Sequence, residues 1–553
     1  MNSERPMLTP WQRFLGLLQL ERKDLIQVIY FAIFSGVISL TLPLGIQAII
    51  NLIQGAQVTT SWIVLVVLVT LGVVFVGVLQ LMQMRIIETV QQRIFMSASF
   101  EFVYRFPKIK MSELYNYYPP ELANRFFDVL TVQKGLAKLL LDVPQAVLQI
   151  VFALVLLSFY HPFFIAFGVL LILLIYIVFK YTIQRGMATS LVESKKKYIV
   201  AHWIQEVARS IVSFKISGKT SLALNKNDKL VENYLIARES HFKILIIQFI
   251  QMIGFKVLVT GGLLVIGGLL VLNQEMNIGQ FVAAEIIILL VIASVEKLIL
   301  GLESFYDVLT SLEKMGQVVD KKVESQDGED VEIDQDFVIQ LDRLSYSVPD
   351  RKAPILNDVS FEINSKSRVL IRGESGSGKS TLIRMISGIL EPSGGRIFLN
   401  DTSISNLKLN SYRAYLGLSL SDESPFEGTI RENLTLGDTS ITTKDIEEVS
   451  KIIGLTAYLK KTEKALDTVI KPEGKQIPFT VSKKIILARA ILKKPKLLIL
   501  EEPLEHFQEQ DLKTIIKYIT SPERPWALIV VSYNNAWAGA CSEVLNLKSG
   551  EII

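Results

Sequence analysis

The chain has 553 residues, of which 50% are hydrophobic and 20% are charged, and its mean hydropathy is +0.38. This composition excludes a disordered, collagen-like or disulfide-rich chain. The 58 basic and 54 acidic residues are too nearly balanced for a nucleic-acid-binding protein. The single cysteine, Cys541, and four histidines argue against a disulfide and against a metal site built from these residue types. Of the classes of protein considered, only a membrane protein with a soluble part is compatible with this composition.

Apolar residues concentrate in the first 302 positions, where six stretches are each long enough to cross a bilayer. Residues 25–317 are therefore predicted to form an α-helical membrane domain whose helices continue beyond the bilayer. The predicted spans are Leu25–Ile53, Trp62–Gln83, Leu139–Tyr160, Phe163–Thr182, Ile244–Leu272 and Ile278–Leu300.

Residues 1–24 are predicted to form an amphipathic helix on the cytoplasmic surface of the membrane. Trp11, Phe14 and Leu18 recur there at helical spacing, with Arg13 and Arg22 on the opposite side. The segment is too short to hold an additional N-terminal domain.

Basic residues are distributed unevenly between the loops. The connection from Arg85 to Lys138 contains eight Lys and Arg residues and that from Arg185 to Lys243 contains eleven, whereas Gln54–Thr60 and Asn273–Asn277 contain none. By the positive-inside rule, both long connections and both termini are predicted to be cytoplasmic.

Three charged residues fall in or near the predicted spans. Lys256 and Glu296 differ in depth by roughly 5 Å at ~1.5 Å rise per residue. This difference is compatible with an ion pair between neighbouring helices, and also with positions in water at the cytoplasmic ends of long helices. Glu285 lies deeper, where it either lines a cavity or serves as a structural hydrogen-bond partner.

The composition changes after the sixth span. Residues 318–336 are rich in Asp and Glu and lack apolar periodicity, which predicts a solvated acidic linker. Residues 337–553 are predicted to form an α/β domain with a largely parallel sheet, because short β-rich segments alternate there with helical ones. The predicted strands are Phe337–Leu341, Val359–Ile363, Arg368–Ile371, Arg396–Leu399, Lys496–Leu500 and Trp526–Val531.

A phosphate-binding loop lies between a predicted strand and a predicted helix that begins at Thr381. Its sequence has the form G-x-x-x-x-G-K-S, in which glycines let backbone N–H groups turn around phosphate oxygens and the helix N-terminus adds partial positive charge. Lys379 is predicted to bind the β- and γ-phosphates and Ser380 to bind Mg²⁺, so ATP and Mg²⁺ are the predicted cofactors. The loop consists of Gly373, Glu374, Ser375, Gly376, Ser377, Gly378, Lys379 and Ser380, and with Thr381 these are the predicted nucleotide-binding residues of this segment.

Together these features resemble an ABC exporter half-transporter, a six-span membrane domain fused to an α/β P-loop nucleotide-binding domain. The segments Gly428–Leu434, Leu487–Ala490 and Pro495–Leu500 match phrases of this family. The resemblance implies a dimer with a second half-transporter chain, a homodimer or a heterodimer. It also implies that Glu502 is the catalytic base and that Glu501 helps to hold Mg²⁺.

The membrane half most resembles type I secretion exporters of the haemolysin kind, without their N-terminal peptidase-like domain. This resemblance implies the inner membrane of a bacterium and a periplasmic membrane-fusion adaptor as a partner. Pro120–Arg125 and Val212–Lys219 fall where the two coupling helices of the family occur.

Several positions depart from the family pattern. The signature reads Ile477–Val481, where Pro478 lacks an N–H and Phe479 adds bulk. The family's adenine-stacking tyrosine aligns with Val348, although Tyr346 lies on the same strand face. The remaining departures are Glu501 for the first Walker B carboxylate, Ser421 for the Q-loop glutamine, Tyr533 for the switch histidine and Gln508 for the D-loop aspartate.

These departures predict a chain that binds MgATP but hydrolyses it weakly. The first hypothesis is a homodimeric exporter with divergent motifs, and the second is the impaired half of a heterodimer. The third is an ATP-gated scaffold within a secretion assembly. The sequence does not identify the substrate.

Overall fold

The computed structural model describes residues 8–55, 60–333, 336–349, 351–504 and 507–553. The start of the predicted segment 1–24 and most of the loop Gln54–Thr60 lie outside the described residues. The chain divides into a helical unit, formed by residues 1–107 and 116–321, and a sheet unit, formed by residues 108–115 and 322–553.

The helical unit contains six segments, among the described residues, that are long and apolar enough to cross a membrane. This confirms the predicted number of spans. Several helices extend well past the predicted spans: the one that holds Trp62–Gln83 continues to Arg105. The helices are α1 (Pro10–Leu20), α2 (Arg22–Ser39), α3 (Thr41–Gln54), α4 (Thr60–Arg105), α5 (Met111–Leu114, in the sheet unit), α6 (Pro119–Ala123), α7 (Asp128–Ser158), α8 (Phe163–Arg209), α9 (Ile211–Ile216), α10 (Leu222–Leu272) and α11 (Ile278–Val319).

The first span consists of two helices, α2 and α3, that meet at Leu40. Pro43 lies in the first turn of α3, where its missing N–H costs least, and it cannot donate to the preceding turn. The long helices pair as α7 with α11, α8 with α10 and α2 with α4. Phe167, Met252 and Ile287 belong to a shared apolar core of this unit.

Helix α1 forms as predicted, but part of its apolar face packs on protein. Phe14 is buried, and its ring contacts that of Phe305 on α11. Arg13 forms a two-bond ion pair with Asp320 at the end of α11. Trp11 remains half exposed, so the position of α1 at a membrane surface stays a prediction.

The sheet unit contains a six-stranded sheet in the order β12-β11-β3-β10-β9-β6 and a four-stranded antiparallel sheet in the order β2-β1-β4-β5. Strands β11, β3, β10, β9 and β6 are parallel. The strands are β1 (Val338–Tyr346), β2 (Leu356–Asn364), β3 (Arg368–Arg372), β4 (Gly394–Leu399), β5 (Thr402–Ser403), β6 (Leu416–Ser419), β7 (Gly428–Thr429), β8 (Val469–Ile470), β9 (Leu497–Glu501), β10 (Ala527–Val531), β11 (Glu543–Lys548) and β12 (Glu551–Ile552).

Each of the six strands predicted from the sequence overlaps an observed strand. The antiparallel sheet was not foreseen, since the alternation of segments indicated one largely parallel sheet. Both faces of β9 and β10 are buried, which explains their uninterrupted apolar sequences. The helices of this unit are α12 (Lys379–Ile386), α13 (Leu409–Ala414), α14 (Ile430–Thr435), α15 (Thr443–Ile452), α16 (Thr456–Leu459), α17 (Phe479–Leu492) and α18 (Glu509–Thr520).

The acidic segment 318–336 differs from the solvated connection expected from its composition. Helix α11 occupies its start, and Glu324 is buried in a two-bond ion pair with Arg413, at 2.6 and 2.7 Å. Val331 and Ile333 join the apolar core of the sheet unit. Arg413 of α13 supplies the basic partner of Glu324, a contact that composition alone does not reveal.

Candidate nucleotide-binding site

The loop from Gly373 to Lys379 connects β3 to α12, in the strand–loop–helix order that the sequence predicts. Gly376 and Gly378 have φ values of +81° and +103°, a region that favours glycine. A Cβ on Gly373 would lie 2.1 Å from the carbonyl oxygen of Leu547. Other residues would strain the loop at these positions.

The loop contains a buried hydroxyl that fits a phosphate ligand. Ser377 is 4% exposed, and its Oγ has no hydrogen-bond partner among the described residues. Buried polar groups in folded proteins nearly always have partners. An orphaned hydroxyl in a glycine-rich loop at a helix N-terminus is therefore suited to phosphate oxygens.

The ammonium of Lys379 lies over this loop. It donates to the carbonyl oxygens of Gly373 and Glu374, at 2.8 Å each, and to the hydroxyl of Tyr533 at 3.0 Å. Ser380 and Thr381 follow in the first turn of α12. The structure thus places the predicted phosphate ligands together in one loop.

The strand order explains why distant residues meet beside the loop. Strands β3, β10, β9 and β6 are parallel neighbours, so the residues that follow them lie at one edge of the sheet. This edge receives the phosphate loop after β3, Tyr533 after β10 and Ser421 after β6.

The two carboxylates predicted to form the Walker B pair make different contacts at this edge. Glu501 is buried at the end of β9, and its Oε2 accepts from the backbone N–H of Ser421 at 3.1 Å. Glu502 has a φ of +42°, and its Oε1 accepts from the N–H of Tyr533 at 3.1 Å. Its Oε2 accepts from the hydroxyl of Ser532 at 2.9 Å.

Magnesium would need few protein ligands here. The described residues contain no group of three or more His, Cys, Asp and Glu side chains that could hold a metal ion. Mg²⁺ commonly uses one or two protein oxygens together with substrate phosphates and water. Ser380 and Glu501 remain the predicted ligands.

Tyr346, the predicted adenine-stacking residue, ends β1 and pairs with Leu356 of β2. A Cβ on Gly378 would lie 2.7 Å from the side chain of Leu356, so the end of β1 lies close to the phosphate loop. Burial raises the pKa of the Tyr346 hydroxyl. Stacking on adenine stays a prediction.

The predicted signature positions, Ile477–Val481, lie around the start of α17. Pro478 occupies the N-cap, and no described side chain caps this end. Phe479 is 55% exposed, whereas Val481 is buried in the core. Gln508 is the residue before α18 and likewise provides no described cap.

No sequence pattern indicates the polar contacts that join the segment after β6 to α17. Lys483 donates to the carbonyl oxygen of Ser421, and Arg489 pairs with Glu423 at 2.6 Å. Burial raises the pKa of the Glu423 carboxyl despite this pairing. Ser532 was also missed, although its position directly after a buried strand was a usable signal.

In the helical unit, the structure brings Lys256 and Glu296 together. The ammonium lies 2.6 Å from a carboxylate oxygen, and each side chain is about one-third exposed. The ion pair considered from the sequence is therefore present. Glu285 is half-buried, and neither of its two predicted roles is tested by this position.

Two known protein families match parts of the chain. The ABC transporter transmembrane region family matches residues 25–295, and the ABC transporter family matches residues 356–505. The chain also resembles the solved structure of a bacterial Atm1-family ABC exporter with ATP bound. The TM-score is 0.85 with 16% identity, over 96% of this chain and 94% of that one. At this identity the likeness shows the fold alone.

Curated relatives are similar over part of their length. A putative export ATP-binding/permease protein of Rickettsia bellii is 23% identical over 64% of this chain and 62% of its own length. The toxin RTX-I translocation ATP-binding protein of Actinobacillus pleuropneumoniae is 25% identical, over 51% and 40%. ABC transporter B family member 13 of Arabidopsis thaliana is 28% identical, over 39% and 17%. The chain thus spans less than two thirds of each of these relatives.

Proposed function

Because the chain belongs to the ABC transporter family and has the architecture of an exporter half-transporter, we propose that it couples MgATP binding and slow hydrolysis to export. The observation that carries this proposal is a complete phosphate loop beside substituted catalytic positions. Lys379 and the orphaned hydroxyl of Ser377 favour nucleotide binding. Ser421, Tyr533 and the Pro478 signature disfavour turnover.

We expect slow hydrolysis for two reasons: the proposed base Glu502 is engaged in hydrogen bonds, and two other catalytic positions of the family carry different residues. Phosphoryl transfer requires a placed metal, a positioned water and neutralised phosphate charge at the same time. Glu502, the proposed base, has both carboxylate oxygens bonded to Ser532 and Tyr533. These two bonds hold the carboxylate toward Ser532 and Tyr533 and compete with a bound water for its lone pairs. Ser421 lacks the amide of a glutamine, and Tyr533 has a phenol ring where the family has an imidazole.

The protein is a multi-pass integral membrane protein. We propose that its N-terminus and ATP-binding domain face the cytoplasm, because the long connections that flank the spans are rich in Lys and Arg. The similarity to the Rickettsia and Actinobacillus proteins supports a bacterial inner membrane. The name of the toxin-translocating relative supports a secretion role; a periplasmic adaptor is part of this proposal by the resemblance to type I secretion exporters.

A homodimer is the favoured assembly. In this family each composite site combines the phosphate loop of one chain with the signature of the other. This chain has altered both Glu501 and the signature at Pro478, so a complete partner would leave neither site whole. The second candidate is a scaffold that is stabilised by ATP but does not hydrolyse it. The hydrogen bonds from Ser532 and Tyr533 to Glu502 favour this candidate, because they engage the proposed base.

The proposal is tested by measuring binding and turnover in one sample. The full chain is purified, reconstituted in lipid nanodiscs and titrated with MgATP, and phosphate release is followed in parallel. We expect saturable binding with slow, ATP-dependent release. Binding without measurable release would favour the scaffold, and the absence of binding would refute the proposed function.

We expect two 62.2 kDa chains in each particle. The physical reason is that the phosphate loop of one chain needs a facing surface from a second. Native mass spectrometry of nanodisc samples, with and without ATP, measures the number of chains. A particle with one chain under every condition, in detergent as well as in nanodiscs, would contradict the dimer.

A further inference from the structure

Tyr533 contacts both charged groups on which the proposed site depends. Its hydroxyl lies 3.0 Å from the Lys379 ammonium, which lies 4.9 Å from the centre of its ring. Its backbone N–H donates to Glu502 at 3.1 Å. Tyr533 itself is 59% exposed, so its side chain can leave without disturbing the core.

In the nucleotide-free site, the Lys379 ammonium already has an acceptor for each of its N–H donors. An ammonium has three N–H donors, and the three acceptors present are the carbonyl oxygens of Gly373 and Glu374 and the hydroxyl of Tyr533. A phosphate oxygen can therefore gain a full hydrogen bond from Lys379 only if one acceptor is displaced. The two carbonyls are part of the main chain, so displacing them requires the loop to move, whereas the exposed phenol can leave by rotation of its side chain alone.

We propose that Tyr533 is a positioning residue that acts through Lys379 and lowers the affinity of the site for nucleoside di- and triphosphates. Its hydroxyl holds the ammonium in the nucleotide-free site and competes there with the β- and γ-phosphate oxygens. This inference rests on the proposed function, because it assumes that Lys379 binds phosphate.

Tyr533→Phe tests the inference because it removes the hydroxyl and keeps the ring and the backbone N–H to Glu502. Equilibrium binding of ADP, a non-hydrolysable ATP analogue and AMP is measured with Mg²⁺ on the full chain in nanodiscs. We expect the variant to bind ADP and the ATP analogue about 3- to 10-fold more tightly, which corresponds to the net free energy of a typical hydrogen bond that water can replace. Binding of AMP should not change, because AMP has no β-phosphate for Lys379.

Two further variants make the comparison specific. Tyr533→Leu removes the ring as well, and it should raise the affinity for ADP at least as far as Tyr533→Phe. Tyr518→Phe removes a hydroxyl from α18, where the ring contacts Trp526 and Arg524, and should leave all affinities unchanged. The difference between di- and monophosphates is a readout that a general change in folding would not produce.

The outcomes separate this inference from the proposed function. Equal ADP affinity in the wild type and Tyr533→Phe overturns the inference while the nucleotide site stands. A loss of affinity for the ATP analogue alone also overturns it, because the hydroxyl would then bind the γ-phosphate. If neither protein binds any nucleotide, both the inference and the proposed function fail.

Discussion

Replacing Lys379 by alanine should abolish MgATP binding at concentrations that saturate the wild type. The change removes the ammonium of the only lysine in the phosphate loop, a buried residue that is 9% exposed. Truncating one partner of a buried charge pair costs about 2–5 kcal/mol, which corresponds to roughly 30- to 4,000-fold in affinity. Titration of nanodisc samples with a fluorescent ATP analogue measures the effect.

Lys444→Ala provides the matched control. Lys444 is an exposed lysine in the first turn of α15, so its replacement removes the same charge without touching the loop. The control should bind as the wild type does. If Lys379→Ala retains wild-type affinity, the nucleotide is bound elsewhere and the assigned phosphate loop is wrong.

Much of this fold can be predicted from the sequence, because the patterns that determine its spans, strands and phosphate loop lie within short stretches of the chain. Apolar length reveals the spans, and uninterrupted apolar segments reveal strands such as β9 and β10. The phosphate loop was also predictable, because glycines at Gly376 and Gly378 and the lysine that follows are contiguous in the chain. Local signals failed for β6, because its sequence Leu-Gly-Leu-Ser contains no β-branched or aromatic residue.

The contacts of the candidate site required the tertiary structure. Strand order, rather than spacing, brings Tyr533 to Lys379 and Ser421 to Glu501. The sequence predicted that Tyr533 could not replace a histidine, but it did not indicate which group the phenol would contact. The ion pair of Glu324 with Arg413 was hidden for the same reason, since its partners are 89 residues apart.

Restoring the three altered catalytic elements together should raise the hydrolysis rate by orders of magnitude. The elements are the signature, the Q-loop glutamine and the switch histidine. They position the nucleotide, the water and the phosphate charge as one unit, so restoring any single element should have little effect. The combined variant carries Ser421→Gln, Tyr533→His, Ile477→Leu, Pro478→Ser, Phe479→Gly, Thr480→Gly and Val481→Gln.

Burial at the signature requires a second version of this variant. Val481 belongs to the apolar core, and a glutamine there would bury an amide, which costs free energy unless it finds partners. The second version therefore keeps Val481 and changes only the other positions. If only this version folds, judged by a single symmetric peak in size-exclusion chromatography, it becomes the protein that is assayed.

Phosphate release per chain, measured in nanodiscs at saturating MgATP, decides the prediction. The wild type should turn over well below the ~1–10³ s⁻¹ that is typical of enzymes, and the combined variant should approach that range. Adding Glu502→Gln to the combined variant should remove the gained activity, since the gain depends on this carboxylate as the base. Wild-type turnover already within the typical range, and lost on Glu502→Gln alone, would show that Ser421, Tyr533 and the Pro478 signature support full catalysis.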